Sequence, residues 1–237
     1  MSQLKTLLLV RADGSQTDTP FNGGSLSTAD PFAEAREIAY AGADGVSAGV
    51  VSGGGGWSSE AYPFTEMLVV HKGRVSLRVN GETLEVSPGE SVVVEQGVAC
   101  RIDAADGSLW AFCAVSGPAP STQPALTWID KRVALAPSAA PEASILIGPT
   151  PQCRSHNAYE DSNSSLRIGV WDSTPYARGG RPHKVHELMH LIEGQVTLTD
   201  AAGTALTVNT GDTVFVPQGA SCAWESTVYV RKYYVVV

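Results

Sequence analysis

The stretch Glu66-Met67-Leu68-Val69-Val70-His71-Lys72-Gly73-Arg74-Val75-Ser76-Leu77 returns as Glu187-Leu188-Met189-His190-Leu191-Ile192-Glu193-Gly194-Gln195-Val196-Thr197-Leu198, displaced by 121 residues. One inserted residue later the displacement becomes 122, and it holds. Leu84, Val86, Gly89, Val92, Val94, Gly97 and Cys100 then fall on Leu206, Val208, Gly211, Val214, Val216, Gly219 and Cys222. A register kept across apolar alternation, glycines and a cysteine identifies two similar units in tandem. Each copy reads strand, glycine turn, strand, turn, strand. Asn80-Gly81 is a tight hairpin signal in the first copy, and Asp200-Ala201-Ala202-Gly203 turns the second. Antiparallel hairpins at this spacing predict an all-β chain built as sandwiches or barrels.

The rest of the chain agrees with a β protein. Its 24 Gly and 14 Pro separate short Val-rich runs such as Ser91 to Glu95 and Thr213 to Pro217. One short helix is expected around Pro31 to Ala39, with Asp30 as its cap and proline in its first turn; a loop is the alternative. The run Gly53-Gly54-Gly55-Gly56 has no following Lys-Ser/Thr, so it reads as a loop and not a phosphate cradle. Gly117-Pro118-Ala119-Pro120-Ser121-Thr122-Gln123-Pro124 reads as a linker. The expected domains are therefore 1–117 and 125–237, joined by 118–124.

Composition excludes several classes of partner. The 237 residues carry 16 basic and 24 acidic side chains, a net charge of -8. Arg178 to Lys184 is the densest basic stretch and holds three cations, which is no footprint for nucleic acid or an anionic membrane. No run approaches the ~18 apolar residues of a membrane helix. The apolar run Leu7 to Val10 is too short for a signal peptide's apolar region and no cleavage site follows it; Met1 to Val10 reads as a strand, so a cytoplasmic protein is expected. Cys100, Cys113, Cys153 and Cys222 form no CxxC pair and read as buried thiols.

The second copy contains Arg181-x-His183-x3-Glu187-x6-Gly194 and then Gly211-x5-Pro217-x-Gly219-x2-Cys222. This resembles the two motifs of the cupin superfamily. Pro217-Gln218-Gly219, Trp224-Glu225 and Val230-Arg231-Lys232-Tyr233-Tyr234 are similar to the cupin subfamily that includes ureidoglycine aminohydrolase. The resemblance implies a bicupin: two tandem antiparallel jelly-roll barrels, the second with the better-kept site. It also implies that the motif positions face the barrel interior, where metal-binding cupins hold a divalent ion such as Mn, Fe, Zn or Ni.

Carried over position by position, the first motif His is Arg181, the second is His183, the Glu is Glu187 and the second-motif His is Cys222. His183 and Glu187 are thus the candidate metal ligands. Each also has a structural reading, as a hydrogen-bonded histidine and as half of an internal ion pair. Arg181 stays protonated and cannot ligate an ordinary metal. It reads as an anchor for a ligand carboxylate or phosphate, or as a surface ion pair. Cys222 reads as a pocket residue whose thiolate could be a third metal ligand or a nucleophile, or as a small buried thiol. Trp224 shares its face, and Trp171 joins it in lining the pocket or in packing. In the first copy the two His positions become Glu60 and Tyr62, and only Glu66 keeps its type, so that barrel reads as structural or as part of an interface.

A second pattern overlaps the first. His186-Glu187-Leu188-Met189-His190 matches the HExxH of zinc proteases, whose two His must be helical neighbours. In a strand they stand about 13 Å apart and cannot share a metal. The β-rich equivalent Glu66 to Val70 favours the strand. His186 and His190 then point outward, with His186, at the strand entrance, also able to replace the missing first ligand. The expected function is small-molecule binding in the second barrel, as a metal-dependent enzyme on a small nitrogenous or carboxylate substrate. A metal-free binding module or a structural pseudo-cupin is the alternative. No nucleotide cofactor is expected, and exposed barrel edges suit a homodimer.

Overall fold

The computed structural model describes residues 4–117, 124–161 and 163–237. The proline-rich linker falls mainly on 118–123, outside the described residues. Strands dominate, and all strand pairs among the described residues are antiparallel. The chain forms two compact units, each a jelly-roll barrel.

The first barrel comprises 18–129 and 159–166. Its spine is two long strands, Val46–Ser59 and Cys100–Val115, paired from Val46↔Val115 to Ser59↔Cys100. The expected loop at Gly53–Gly56 lies inside the first of these. The register slips there, with φ of 132° at Gly53 and 138° at Gly55. Only glycine adopts such angles readily, so the run is a strand corner that bends the sheet around the barrel. The helix expected over Pro31 to Ala39 is also absent. Asp30 instead ties a turn, accepting from Leu26 N at 3.0 Å and Phe32 N at 3.1 Å, and the strand Arg36–Ala41 follows.

The second barrel comprises 1–17, 130–158 and 167–237. Two sheets face each other, one containing Leu166–Ser173, Glu187–Glu193, Thr213–Val216 and Val230–Val236, the other Tyr176–Pro182, Gln195–Thr199 and Ser221–Ser226. Met189, Leu191, Val196, Leu198, Val214, Val216 and Trp224 fill the space between them.

The units do not follow a cut at the linker. Leu7–Val10 pairs with Thr213–Val216 in the second barrel, and Leu126–Trp128 pairs with Ser91–Val94 in the first. Since Ser91–Val94 and Thr213–Val216 are repeat equivalents, each barrel protects the same edge with a strand from beyond its own half of the sequence. The sheet edge passes in each case to the added strand, Leu7–Val10 or Leu126–Trp128.

The repeat shows one further correspondence. A Cβ on Gly49 would lie 2.1 Å from the carbonyl oxygen of Glu37, and a Cβ on Gly169 2.0 Å from that of His156. Both barrels therefore require glycine where a neighbouring backbone approaches.

Candidate functional site

The second barrel contains a cavity of about 410 Å³ that opens to the surface. Its floor is built on the strand Glu187–Glu193. Alternation sends Glu187, Met189 and Leu191 inward, as expected, and Leu188 and His190 to the opposite face. His190 is buried there, with Nδ1 2.8 Å from Thr213 Oγ1 and its ring stacked on Tyr233. HExxH therefore lies on the approach to a strand and along it, so the zinc-protease arrangement does not form.

His183 and Glu187 do come together. His183 Nε2 lies 3.4 Å from Glu187 Oε2. Its Nδ1 lies 3.0 Å from the Val185 carbonyl, which can only accept, so Nδ1 carries the proton and Nε2 is bare in the neutral ring. Burial lowers the His183 pKa against the opposing pull of Glu187, which keeps that neutral form. The backbone holds the residue in place: His183 N donates to Ala220 O at 2.8 Å, and Gly219 N donates to His183 O at 2.9 Å.

The other oxygen of Glu187 is taken by a residue the sequence reading passed over. Lys232 Nζ donates to Glu187 Oε1 at 2.6 Å and lies 3.0 Å from Met189 Sδ. It also sits over the rings of Trp171 and Trp224, at 4.8 and 5.3 Å. A carboxylate and two indole faces thus surround this one side chain. Burial alone would raise the Glu187 pKa, but the ammonium and His183 outweigh it and hold the carboxyl below its ordinary range. The missed signal was phase: in Val230–Val236, Lys232 alternates inward with Val230 and Tyr234.

The walls are aromatic. Trp171 and Trp224 meet edge to face at 6.0 Å, and Tyr176 stacks on Trp224 at 5.6 Å. Both tryptophans line the cavity and also pack with the barrel's core. Cys222 lines it too, but as a buried thiol directed to Ala223 O at 3.4 Å, with its pKa raised by burial. Arg181 lines the cavity at about one-third exposure, 3.6 Å from Glu142 Oε1, so it is both a wall residue and a surface ion-pair partner. Arg178, another residue the reading missed, donates from Nη1 to the Cys222 carbonyl at 2.6 Å.

His186 is not brought to this group. Its Nδ1 accepts from Gln218 N at 3.1 Å and its ring stacks on Phe215, so it does not replace the missing first ligand. A metal therefore finds two converging donors, His183 Nε2 and Glu187, and one oxygen of the latter is already bound by an ammonium. Catalytic zinc sites use three protein ligands. Among the described residues no three His, Cys, Asp or Glu side chains are arranged to hold an ion. The donor set does not fit the divalent metal that the resemblance implies.

At the equivalent place in the first barrel, Glu66, Arg36, Tyr62 and Phe112 are all buried. Glu66, the counterpart of Glu187, is fully buried and meets Arg36 Nη2 at 3.1 Å. Arg36 also pairs with Asp30 at 2.9 Å and packs over Phe112 at 4.1 Å. Tyr62, the counterpart of His183, is fully buried as well.

The sequence matches the family model described as the EutQ-like cupin domain over residues 41–108 and 161–234. A crystal structure of a protein of unknown function from Pseudomonas syringae pv. tomato is 52% identical, with a TM-score of 0.96 over 99% of this chain and 100% of that one. Ylba from E. coli is 12% identical, with a TM-score of 0.55 over 100% of this chain and 93% of that one. A putative glyoxylate induced protein from Pseudomonas aeruginosa is also 12% identical, with a TM-score of 0.56 over 100% and 97%. These last two show a shared fold alone. No curated protein matches the chain.

Proposed function

The chain belongs to the EutQ-like cupin family, and from that premise we propose that it binds a small organic anion, a carboxylate, in its second barrel without a transition metal. The cavity lining carries this reading. Arg167, Arg178, Arg181, Lys184 and Lys232 border the cavity, against Glu187, which Lys232 neutralises, and Glu142, which lies 2.7 Å from Lys184 and 3.6 Å from Arg181. A surplus of cations around a cavity attracts an anion. Arginine adds bidentate recognition of a carboxylate. The aromatic wall of Trp171, Tyr176 and Trp224 receives the apolar part of the ligand. The volume limits that ligand to a small molecule.

The likeness to the subfamily that includes ureidoglycine aminohydrolase supports a small polar ligand and nothing finer. Arg181 and Cys222 stand where metal-binding cupins place imidazoles. A homodimer formed along barrel edges is part of the same proposal, and light scattering in solution tests it.

Calorimetry with a panel of mono- and dicarboxylates, run in the presence of a chelator, tests the ligand class. Binding is expected to survive chelation and to weaken about tenfold or more in Arg178→Ala and Arg181→Ala. Binding that requires an added divalent ion and disappears in His183→Ala refutes the metal-free reading.

A further inference from the structure

Resting on the reading of the second barrel as an anion site, we propose that the Lys232 ammonium is its resident cation. Lys232 takes the place on Glu187 that a divalent ion would need, and it is the electropositive contact for an oxygen of the ligand.

Two independent observations carry this. The first is the fixed position of Nζ. An ammonium has three N–H donors. Glu187 Oε1 takes one at 2.6 Å, Met189 Sδ lies 3.0 Å away, and Trp171 and Trp224 present their rings at 4.8 and 5.3 Å. The side chain is 8% exposed and borders the cavity. An ion shared between Glu187 and His183 Nε2 would have to enter beside this charge and compete with it for the same carboxylate. Like charges in a buried site repel strongly.

The second observation is the first barrel. There the equivalent glutamate, Glu66, also holds a cation among aromatic rings: the Arg36 guanidinium, 3.1 Å from Glu66 Oε2 and 4.1 Å from the Phe112 centroid. The two cations come from different strands, Arg36–Ala41 and Val230–Val236. A side-chain cation on the motif glutamate is thus common to both barrels although its source is not. In the first it is sealed from solvent. In the second it faces the cavity, where a ligand oxygen can reach it as it would a metal.

The test follows metal and carboxylate binding in parallel, with the full-length chain stripped by chelator and then offered Zn2+, Ni2+ or Mn2+. Elemental analysis is expected to find no stoichiometric metal on the wild type. Lys232→Met is expected to gain Glu187- and His183-dependent metal affinity, roughly tenfold or more above wild type. It is also expected to lose carboxylate affinity by a similar factor, while Lys232→Arg retains part of it and still excludes metal. Should Lys232→Met fail to fold, the Lys232 ammonium resonance of the wild type by 1H–15N NMR gives the answer. It is expected to persist unshifted under saturating Zn2+. Stoichiometric wild-type metal lost on His183→Ala, no metal gain in folded Lys232→Met, or an ammonium displaced by Zn2+ would each overturn the proposal. Should the wild type bind no carboxylate at all, the function proposed above fails, and the metal measurements still judge Lys232.

Discussion

Trp110 and Lys232 hold the same register position in the two barrels. Trp110 lies between Val51 and Val70 in its sheet, and Lys232 between Trp171 and Leu191, the repeat equivalents of those residues. The first barrel thus fills with an indole the place where the second carries an ammonium. A second exchange accompanies this one. Arg36 precedes Glu37 at the close approach to Gly49, and Ser155 precedes His156 at the close approach to Gly169. A large cation is replaced by a small hydroxyl, and Ser155 lines the cavity. Trp110 and Arg36 are buried in the first barrel, whereas Lys232 and Ser155 line the cavity of the second.

His183 and Glu187 make the second barrel sensitive to acid. Both pKa values are lowered in the folded chain, so the unfolded chain takes up protons first as pH falls. The stabilisation is complete above the ordinary histidine value of 6.5 and declines below it for His183. For Glu187 the loss begins below 4.5. Urea unfolding should show a lower midpoint at pH 5 than at pH 7.5, and His183→Gln should flatten that step. A pH-independent midpoint in the wild type contradicts this account.

Arg36 should be a stability residue of the first barrel. Removing one partner of a buried ion pair leaves an uncompensated charge, at a cost of about 3–5 kcal/mol. Arg36→Met is expected to destabilise by that order, and Arg36→Met with Glu66→Gln by less than the sum of the two single changes. Carboxylate binding in the second barrel should persist wherever the variant folds. Additive losses would mean that Arg36 and Glu66 act independently.

All four cysteines are free and buried, and burial raises their pKa values, that of Cys100 to about 11. Thiol, not thiolate, is therefore the form at pH 8, and the nucleophile is withheld. Ellman's reagent should react slowly with the native chain and with four thiols after denaturation. Cys222→Ser should keep most ligand affinity. A fast-reacting Cys222 would return it to the list of chemical groups in the site.

The strand Leu7–Val10 should be required by the second barrel. All four residues are buried, and the segment after them is tied down by Arg11 and Ala12 N, each 2.9 Å from Asp212. Burial of such side chains contributes ~1.5–3 kcal/mol each as an upper range. Deleting residues 1–12 should therefore lower stability by several kcal/mol and expose the edge Thr213–Val216 to self-association. Light scattering and thermal melts of the truncated chain check both effects. An unchanged melting temperature would place the strand outside the cooperative unit.

Much of the fold was legible in one dimension. Apolar alternation marks the strands, glycines mark the turns, and the 121-residue displacement marks the repeat. The misreadings were local signals overruled by their surroundings. Asp30-Pro31 looked like a helix start, yet Asp30 spends its oxygens on a turn and on Arg36. Gly53 to Gly56 looked like a loop because flexibility and a strand corner use the same residue. His186 was placed at a strand entrance, where alternation does not fix direction.

The sequence by itself determined that the chain is two cupin barrels and that Glu66 and Glu187 point inward, because side-chain direction along a strand follows a period of two. Only the tertiary structure decided what meets those glutamates. Lys232 lies 45 residues from Glu187, and their 2.6 Å contact depends on the register between Glu187–Glu193 and Val230–Val236. It likewise decided that Leu7–Val10 and Leu126–Trp128 close barrels other than those of their own halves. Register and edge pairing are settled by contacts between distant segments, so no local pattern of residues records them.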